Sequence, residues 1–276
     1  MQVPLKTSQA NTPLRLHVLA SGSKGNATIV EDAKTGRARL IDCGICKREL
    51  FSRAAEVGVE LRRIEGILIT HEHTDHTKGL GVALRGLAKL DLSPVLYVSD
   101  GVRCASAEIS SLQDSCNVRA FSAGSSFSLA GMEIGVFRTS HDADESFGFR
   151  ISQSREDAIG YLTDSGFVTP EAFEALQDCR ILAIEGNHDR HMLETGPYPY
   201  MLKQRVASDR GHLSNAQAAD ATERLLCNKL GHIVTMHVSE NNNTYKLPVD
   251  AMQEMLRRND HHAQVVSAFQ HRARSV

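Results

Sequence analysis

The stretch Ile67-Leu68-Ile69-Thr70-His71-Glu72-His73-Thr74-Asp75-His76 decides the fold, because an apolar strand runs directly into the pattern His-x-His-x-Asp-His. Three imidazoles and a carboxylate placed so close together gain little from lying free in solvent. Neutral imidazole nitrogens and carboxylate oxygens are, however, good ligands for divalent cations such as Zn²⁺, Mn²⁺ and Fe²⁺. The stretch therefore predicts a metal centre, and a pair of divalent ions is the simplest arrangement that uses all four side chains.

Further metal-ligand side chains occur near the ends of other apolar strands. Each follows a short run of β-branched or large apolar residues, and the four are Asp42, His141, Asp164 and His237. A strand holds the residue at its end in a fixed position, and packed sheets can bring several such ends to one edge. The pattern therefore predicts that these side chains join the His-x-His-x-Asp-His cluster in a single site.

Composition places limits on the class of protein. The chain has 276 residues, 41% of them hydrophobic, with a formal net charge of −2, so any nucleic-acid contact must come from local basic patches. No apolar run approaches the ~20 residues of a membrane helix. The first residues lack a signal-peptide pattern. The six cysteines are scattered along the chain, which is typical of the reducing cytosol. We expect a soluble, cytoplasmic protein with no membrane partner.

Strand patterns cluster in both halves of the chain, and helical patterns separate them irregularly. This order favours two packed sheets with helices on the outer faces over a doubly wound parallel sheet. No linker or internal repeat divides the sequence. We therefore expect residues 1–276 to form a single domain, with residues 1–12 as a flexible N-terminal tail. Ser214, just ahead of an apolar-periodic segment, is predicted to cap a helix.

Asp42, the cluster from His71 to His76, His141, Asp164 and His237 occur in an order that resembles the five motifs of the metallo-β-lactamase fold superfamily. The resemblance covers nearly the whole chain. It implies an α+β fold, a four-layer αββα sandwich with a dinuclear metal site at one edge of the two sheets. The implied ligands are His71, His73 and His141 for one ion, Asp75, His76 and His237 for the other, and Asp164 as a bridge. Asp42 would orient ligands through hydrogen bonds.

Five further segments are similar to the YycJ (WalJ) group of that superfamily. They are residues 21–26, 185–189, 196–199, 211–215 and 237–243. Members of the group are regarded as cytoplasmic, metal-dependent nucleases that act on DNA, mostly as 5′-to-3′ exonucleases. The resemblance implies a hydrolase with two divalent ions, Zn²⁺, Mn²⁺ or Fe²⁺. Such a pair would lower the pKa of a bridging water and supply a hydroxide for attack on a phosphodiester.

Several residues receive individual roles in this interpretation. Asp75 is expected to orient the attacking hydroxide, since one carboxylate oxygen can ligate a metal while the other accepts a proton. His212 is the first candidate donor to the leaving oxygen and His188 the second, although a structural role for either histidine stays open. Ser23 and Lys24, in a glycine-rich loop, and Ser214, at a helix N-terminus, are candidate phosphate contacts.

Other functions are compatible with the same ligand set. An RNA or cyclic-phosphate phosphodiesterase and a glyoxalase II-like thioester hydrolase would use the same metals, and a non-catalytic member could retain the fold. All seven ligand positions are filled, which argues against a degenerate site. The residues leave open the metal identity, the choice between DNA and RNA, the polarity and end requirement, the general acid and the oligomeric state.

Overall fold

Apolar strands pair into two seven-stranded sheets in the computed structural model, which describes residues 14–112 and 115–276. The expected tail, residues 1–12, lies outside the described residues. The first sheet has the order β14-β1-β2-β3-β4-β5-β6. Its strands are β1 Leu14–Ala20, β2 Ala27–Asp32, β3 Ala38–Ile41, β4 Ile64–Leu68, β5 Val95–Val98, β6 Val118–Ala120 and β14 Arg274–Ser275.

The second sheet has the order β13-β12-β11-β10-β9-β8-β7. Its strands are β7 Ser126–Leu129, β8 Met132–Arg138, β9 Phe147–Ser154, β10 Asp157–Leu162, β11 Ile181–Glu185, β12 His232–Met236 and β13 Gln264–Ser267. In both sheets, parallel and antiparallel pairs occur side by side. Strands β3 and β4 run parallel in the first sheet, and β10, β11 and β12 run parallel in the second.

Helices fill the connections and pack on the sheets. They are α1 Lys47–Glu56, α2 Thr74–Thr77, α3 Leu80–Ala88, α4 Asp100–Ala105, α5 Ala107–Ser111, α6 Pro170–Ala175, α7 Arg190–Thr195, α8 Tyr200–Ala207, α9 Asn215–Glu223 and α10 Leu247–Arg258, with a 3₁₀ turn at Leu61–Arg63. Helix α1 packs on β1, whereas α6 packs on β8 and β9 and α10 on β13. None of the helices in the described part of the chain is both long and apolar enough to cross a membrane.

Two buried apolar clusters hold the layers together. The larger one joins the facing sides of the two sheets, where Leu40 and Ile67 of the first sheet belong to the same cluster as Phe149 of the second. The smaller one joins the second sheet to its outer helices, and includes Ile184 and Met252. Each large aliphatic side chain fully buried in this way contributes about 1.5–3 kcal/mol. The expected four-layer αββα sandwich is confirmed.

Local boundaries differ from the sequence patterns at several places. The hairpin strand β7, Ser126–Leu129, lies outside the strands that the sequence predicts, because its serines continue a Ser- and Gly-rich stretch that is typical of a turn. A tight turn with Ala130 at φ 54° and Gly131 at φ 76° joins β7 to β8, and two consecutive positive φ values match the right-handed twist of a hairpin. The predicted cap at Ser214 is confirmed, since its hydroxyl accepts the amide of Gln217 in a capping box.

Candidate metal centre

The carboxyl ends of strands from both sheets meet at one edge of the sandwich. Asp42 follows β3 and His71 follows β4, while Asp164 follows β10 and His237 follows β12. Asp42, Asp164 and His237 have φ angles of 58°, 52° and 49°. This left-handed backbone is costly for residues other than glycine, and it persists where surrounding contacts fix it. Three of the seven non-glycine residues with positive φ in the described part of the chain thus lie at strand ends that carry the site.

Three histidines form the first ligand group. The rings of His71, His73 and His141 have centroid separations of 4.7, 4.9 and 5.1 Å, and one ligand atom from each lies within 4.8 Å of the others. The Nδ1 atom of His73 lies 3.2 Å from Nε2 of His141. Burial, followed by the neighbouring His76, holds the pKa of His71 well below its usual range. His71 is therefore a neutral imidazole, the form that binds metal.

The second ligand group lies beside the first. Nε2 of His237 is 3.4 Å and Nε2 of His76 is 3.5 Å from the same oxygen, Oδ2 of Asp75. Burial would raise the pKa of Asp75, but His76 and His237 outweigh it and lower the value to about 2. Asp75 is thus a carboxylate at any physiological pH, as a metal ligand must be.

Asp164 lies between the two groups and is buried. Its Oδ2 is 3.3 Å from Nε2 of His76, and its Oδ1 is 3.5 Å from Nε2 of His237 and 3.8 Å from Nε2 of His141. One carboxylate oxygen thus faces ligand nitrogens from both groups. Asp164 therefore lies beside both groups, and its role as a bridge stays a prediction.

The donor atoms of the first group fit a cation. Nε2 of His71 is buried and has no hydrogen-bond partner among the described residues. Nδ1 of His141 donates a hydrogen bond to the carbonyl oxygen of Gly211 over 3.1 Å. In this tautomer, Nε2 of His141 carries a free lone pair. Imidazole nitrogens gathered this closely suit Zn²⁺ or a similar divalent ion. The residues therefore fit the divalent metals that the sequence predicts.

Asp42 supports the centre from behind the ligands. Nδ1 of His76 donates to its Oδ2 over 2.7 Å, and the backbone amide and hydroxyl of Thr70 donate to its oxygens over 2.8 and 2.9 Å. The same Thr70 hydroxyl lies 2.9 Å from Nδ1 of His71. With Nδ1 protonated and bonded, His76 presents Nε2 to the site. Asp42 thus contacts His76 directly and His71 through Thr70, and its role in orienting these histidines stays a prediction.

The loop that carries Asp75 is fixed by backbone contacts. The backbone amide of Asn26 donates to the carbonyl oxygen of Asp75 over 2.7 Å, and the backbone amide of Gly44 donates to the carbonyl oxygen of Asn26 over 2.7 Å. A Cβ atom on Gly44 would lie only 1.6 Å from the Asp75 carbonyl oxygen. The side-chain amide of Asn26 also lies 3.0 Å from Nε2 of His76. Glycine at position 44 is thus required for this loop to approach β3.

Glu185 is a site residue to which the sequence patterns assign no role. It ends β11 and is fully buried, and its Oε1 accepts from Nδ1 of His212 over 2.8 Å and lies 3.4 Å from Nδ1 of His237. Its Oε2 accepts the backbone amides of Ser165 and Leu213. The sequence signal that could have identified it is an acidic residue at the end of an apolar strand, Ile181–Glu185. Glu185 therefore holds one ligand histidine and the candidate acid.

His212 lies at the metal centre and His188 lies behind it. The ring of His212 stacks on His237 at 5.2 Å and is 5.1 Å from that of His141. The ring of His188 is buried, and its Nδ1 has no partner among the described residues. Burial lowers the pKa of His188 to about 4, so it is neutral at physiological pH. The geometry thus favours His212 over His188 as a donor to substrate.

The candidate phosphate contacts occupy different surroundings. Ser23 lines a pocket beside the metal centre, together with His212, His237, Asn187 and Arg205 among others. Lys24 is exposed and pairs with Glu240 over 2.6 Å. The hydroxyl of Ser214 is buried and engaged in the helix cap. A phosphate role for these three residues stays a prediction, and Ser23 has the most favourable position.

Comparison with known proteins identifies the family of the chain. A family model described as a β-lactamase superfamily domain matches residues 37–237. The exodeoxyribonuclease WalJ of Streptococcus pneumoniae strain D39 is 34% identical over 245 residues, which cover 88% of this chain and 88% of WalJ. The exodeoxyribonuclease YycJ of Bacillus anthracis is 32% identical over 243 residues, which cover 88% of this chain and 89% of YycJ.

A solved structure has the same fold. The metallo-β-lactamase fold protein YhfI from Bacillus subtilis superposes with a TM-score of 0.71 at 15% identity, over 96% of this chain and 100% of YhfI. The sandwich, the ordered metal-ligand motifs and the long sequence matches agree with one another. The chain belongs to the metallo-β-lactamase fold superfamily, and within it to the WalJ and YycJ group.

Proposed function

We propose that this protein is a metal-dependent phosphodiesterase that removes nucleotides from DNA ends, with 5′-to-3′ polarity and two divalent ions at the centre. The observation that carries the proposal is similarity over 88% of the chain to two proteins named exodeoxyribonucleases. It is supported by two neighbouring groups of candidate ligands, one of His71, His73 and His141 and one of Asp75, His76 and His237, and by Asp164, whose oxygens lie within 3.8 Å of nitrogens from both groups. Two such ions, when bound, supply an activated water and neutralise charge on the phosphodiester oxygens.

We assign the attacking side of the reaction to Asp75. Its Oδ2 faces the ligand nitrogens of His76 and His237 and accepts from the side-chain amide of Asn26 over 3.3 Å. The carboxylate is therefore fixed in direction, and one of its oxygens can accept a proton while the other serves as a ligand. Precise placement of such a group contributes more to rate than its basicity alone.

We assign the leaving side to His212, with Glu185 as its positioning residue. Glu185 accepts from Nδ1 of His212 and leaves the other ring nitrogen for a proton donated to the leaving oxygen. Because Oε2 of Glu185 is held by two backbone amides, the carboxylate cannot rotate away from the ring. The arrangement follows the general pattern of an acid–base histidine oriented by a buried carboxylate.

The location and metal identity belong to the same proposal. The six cysteines are unpaired, which supports a reducing, cytoplasmic compartment. Nitrogen and oxygen ligands are compatible with Zn²⁺, Mn²⁺ or Fe²⁺. Both sheets contribute ligands to the site, which supports the further proposal that the chain forms a single domain.

The test is degradation of linear duplex DNA labelled at either its 5′ or its 3′ end, by metal-reconstituted protein with Asp75→Ala as the inactive reference. We expect mononucleotide release that begins at the 5′ end and is lost in the variant. Metal-loaded wild type that leaves DNA intact would contradict the proposal. Activity on RNA, cyclic phosphates or thioesters instead would then identify which alternative hydrolase the site serves.

A further inference from the structure

Helix α8 presents two large apolar side chains to solvent. Tyr200 is 72% exposed and Met201 is 76% exposed, more than any other large hydrophobic side chain among the described residues. Isolated exposed apolar residues are common on protein surfaces, but adjacent ones of this size at the edge of a functional pocket indicate a binding surface.

The same helix forms one wall of the pocket beside the metal centre. Leu202, Arg205 and Val206 line that pocket, and so does Tyr198 just ahead of the helix. Residues four apart lie on one helix face. Met201 therefore lies on the same face of α8 as Arg205, one turn closer to the N-terminus of the helix, at the rim of the pocket. A chain that leaves the pocket over this rim would therefore pass across the exposed face of α8.

Two of the three cations beside this wall have carbonyl partners instead of carboxylate partners. Arg205 pairs with Asp142, whereas Lys203 donates to the carbonyl oxygen of Glu194 and Arg210 donates to backbone carbonyls in the loop that follows His141. Carbonyl partners orient a cation without neutralising it. Lys203 and Arg210 therefore remain available to attract the phosphates of a nucleic acid near this wall.

We propose that the exposed face of α8, formed by Tyr200 and Met201, is a stacking surface for the unpaired bases of a single-stranded nucleic-acid end whose phosphodiester enters the metal centre. The inference rests on the proposed function of that centre. Aromatic side chains bind unpaired bases without regard to sequence, because every base has a π face. The thioether of Met201 adds a polarisable contact to an aromatic ring. The paired bases of a blunt duplex are already stacked on one another, so they gain little from this stacking surface.

The experiment compares steady-state cleavage of a single-stranded oligonucleotide, a blunt duplex and bis(p-nitrophenyl) phosphate by the full-length, metal-loaded protein. For the combined Tyr200→Ala and Met201→Ala variant, we expect KM for the single strand to rise about 10-fold relative to the small ester. Tyr200→Phe keeps the ring and should retain the wild-type KM. Leu90→Ala removes another exposed apolar side chain, one that does not line the pocket, and serves as the matched control.

Each outcome decides one question. Equal KM values for wild type and the double variant on the single strand would overturn the stacking surface while leaving the nuclease proposal intact. Wild type that cleaves the small ester but no DNA would contradict the proposed function. In that case, the affinities of wild type and the double variant for the single strand, measured by fluorescence anisotropy, would still decide whether α8 binds bases. A change in oligomeric state of the double variant, measured by sedimentation, would assign this face to a second copy of the chain instead.

Discussion

The ring of His212 donates from Nδ1 to Oε1 of Glu185 over 2.8 Å, and the same oxygen lies 3.4 Å from Nδ1 of His237. A single buried carboxylate thus orients a ligand histidine and the proposed acid. Glu185 is fully buried, so truncating it would leave two rings and two backbone amides without their acceptor. Glu185 is the last residue of β11, so its hydrogen bond fixes His212, which lines the pocket, to the end of that strand.

His212→Ala should lower kcat by about 10²–10⁴-fold, the usual contribution of a general acid. Metal content should remain at the wild-type level, since His212 is not among the seven proposed ligands. Metal analysis and kcat measured on the same preparation separate the two effects. His262→Ala, at an exposed position outside the site, is the control. A variant that loses metal along with activity would make His212 a ligand instead.

Asp42→Asn should weaken metal binding by about 10–100-fold, as expected for removal of a carboxylate that orients a ligand histidine. The amide would no longer accept fully from both Nδ1 of His76 and the amide of Thr70. Competition with a chelator measures the affinity. Asp178→Asn, at another position with positive φ, tests whether the backbone conformation alone is responsible. Unchanged affinity in Asp42→Asn would remove Asp42 from the support of the site.

Gly44→Ala should disrupt the metal centre, because the added Cβ would lie 1.6 Å from the carbonyl oxygen of Asp75. The loop must shift, and we expect a loss of stability of about 1–3 kcal/mol, typical of overpacking, with reduced metal content. Gly231→Ala is the matched control, since its nearest neighbour would be the Arg180 carbonyl oxygen at 3.8 Å. Thermal unfolding of both variants checks the prediction. A Gly44→Ala protein as stable as Gly231→Ala would contradict the close approach.

Cysteine reactivity should follow burial. Burial raises the pKa of Cys43 to about 12 and that of Cys179 to about 11, whereas Cys46 and Cys104 are exposed. A raised pKa keeps a thiol protonated and unreactive until the pH rises through that value. At pH 8, iodoacetamide should therefore modify Cys46 and Cys104 and leave Cys43 and Cys179 unmodified until the protein is denatured. Mass spectrometry of the digested protein gives the result, and early labelling of Cys179 would show that its surroundings open readily.

Much of the sandwich could be predicted from local patterns, because its strands are apolar and its ligands follow them closely. The run from Ile67 to His76 carries both signals without a gap. Glu185 was missed because its partner His212 lies 27 residues further along the chain, and only the fold brings them together. Asn26 was missed for the same reason, since it meets His76 across 50 residues.

The individual roles near the pocket depended on packing that sequence patterns do not describe. A serine before a helix predicts a cap and a phosphate contact equally well, and Ser214 uses its hydroxyl in the cap. The pairing of Lys24 with Glu240 joins loops more than 200 residues apart in the chain. When a side chain is compatible with two roles, its role can be assigned only once its neighbours in the folded structure are known.

Anomalous diffraction from crystals of the metal-loaded protein, collected at the absorption edge of the bound metal, examines the proposed centre most directly. We expect two peaks, one among His71, His73 and His141 and one among Asp75, His76 and His237, with Asp164 in contact with both. A single peak, or a peak on other side chains, would contradict a dinuclear centre built from these seven residues.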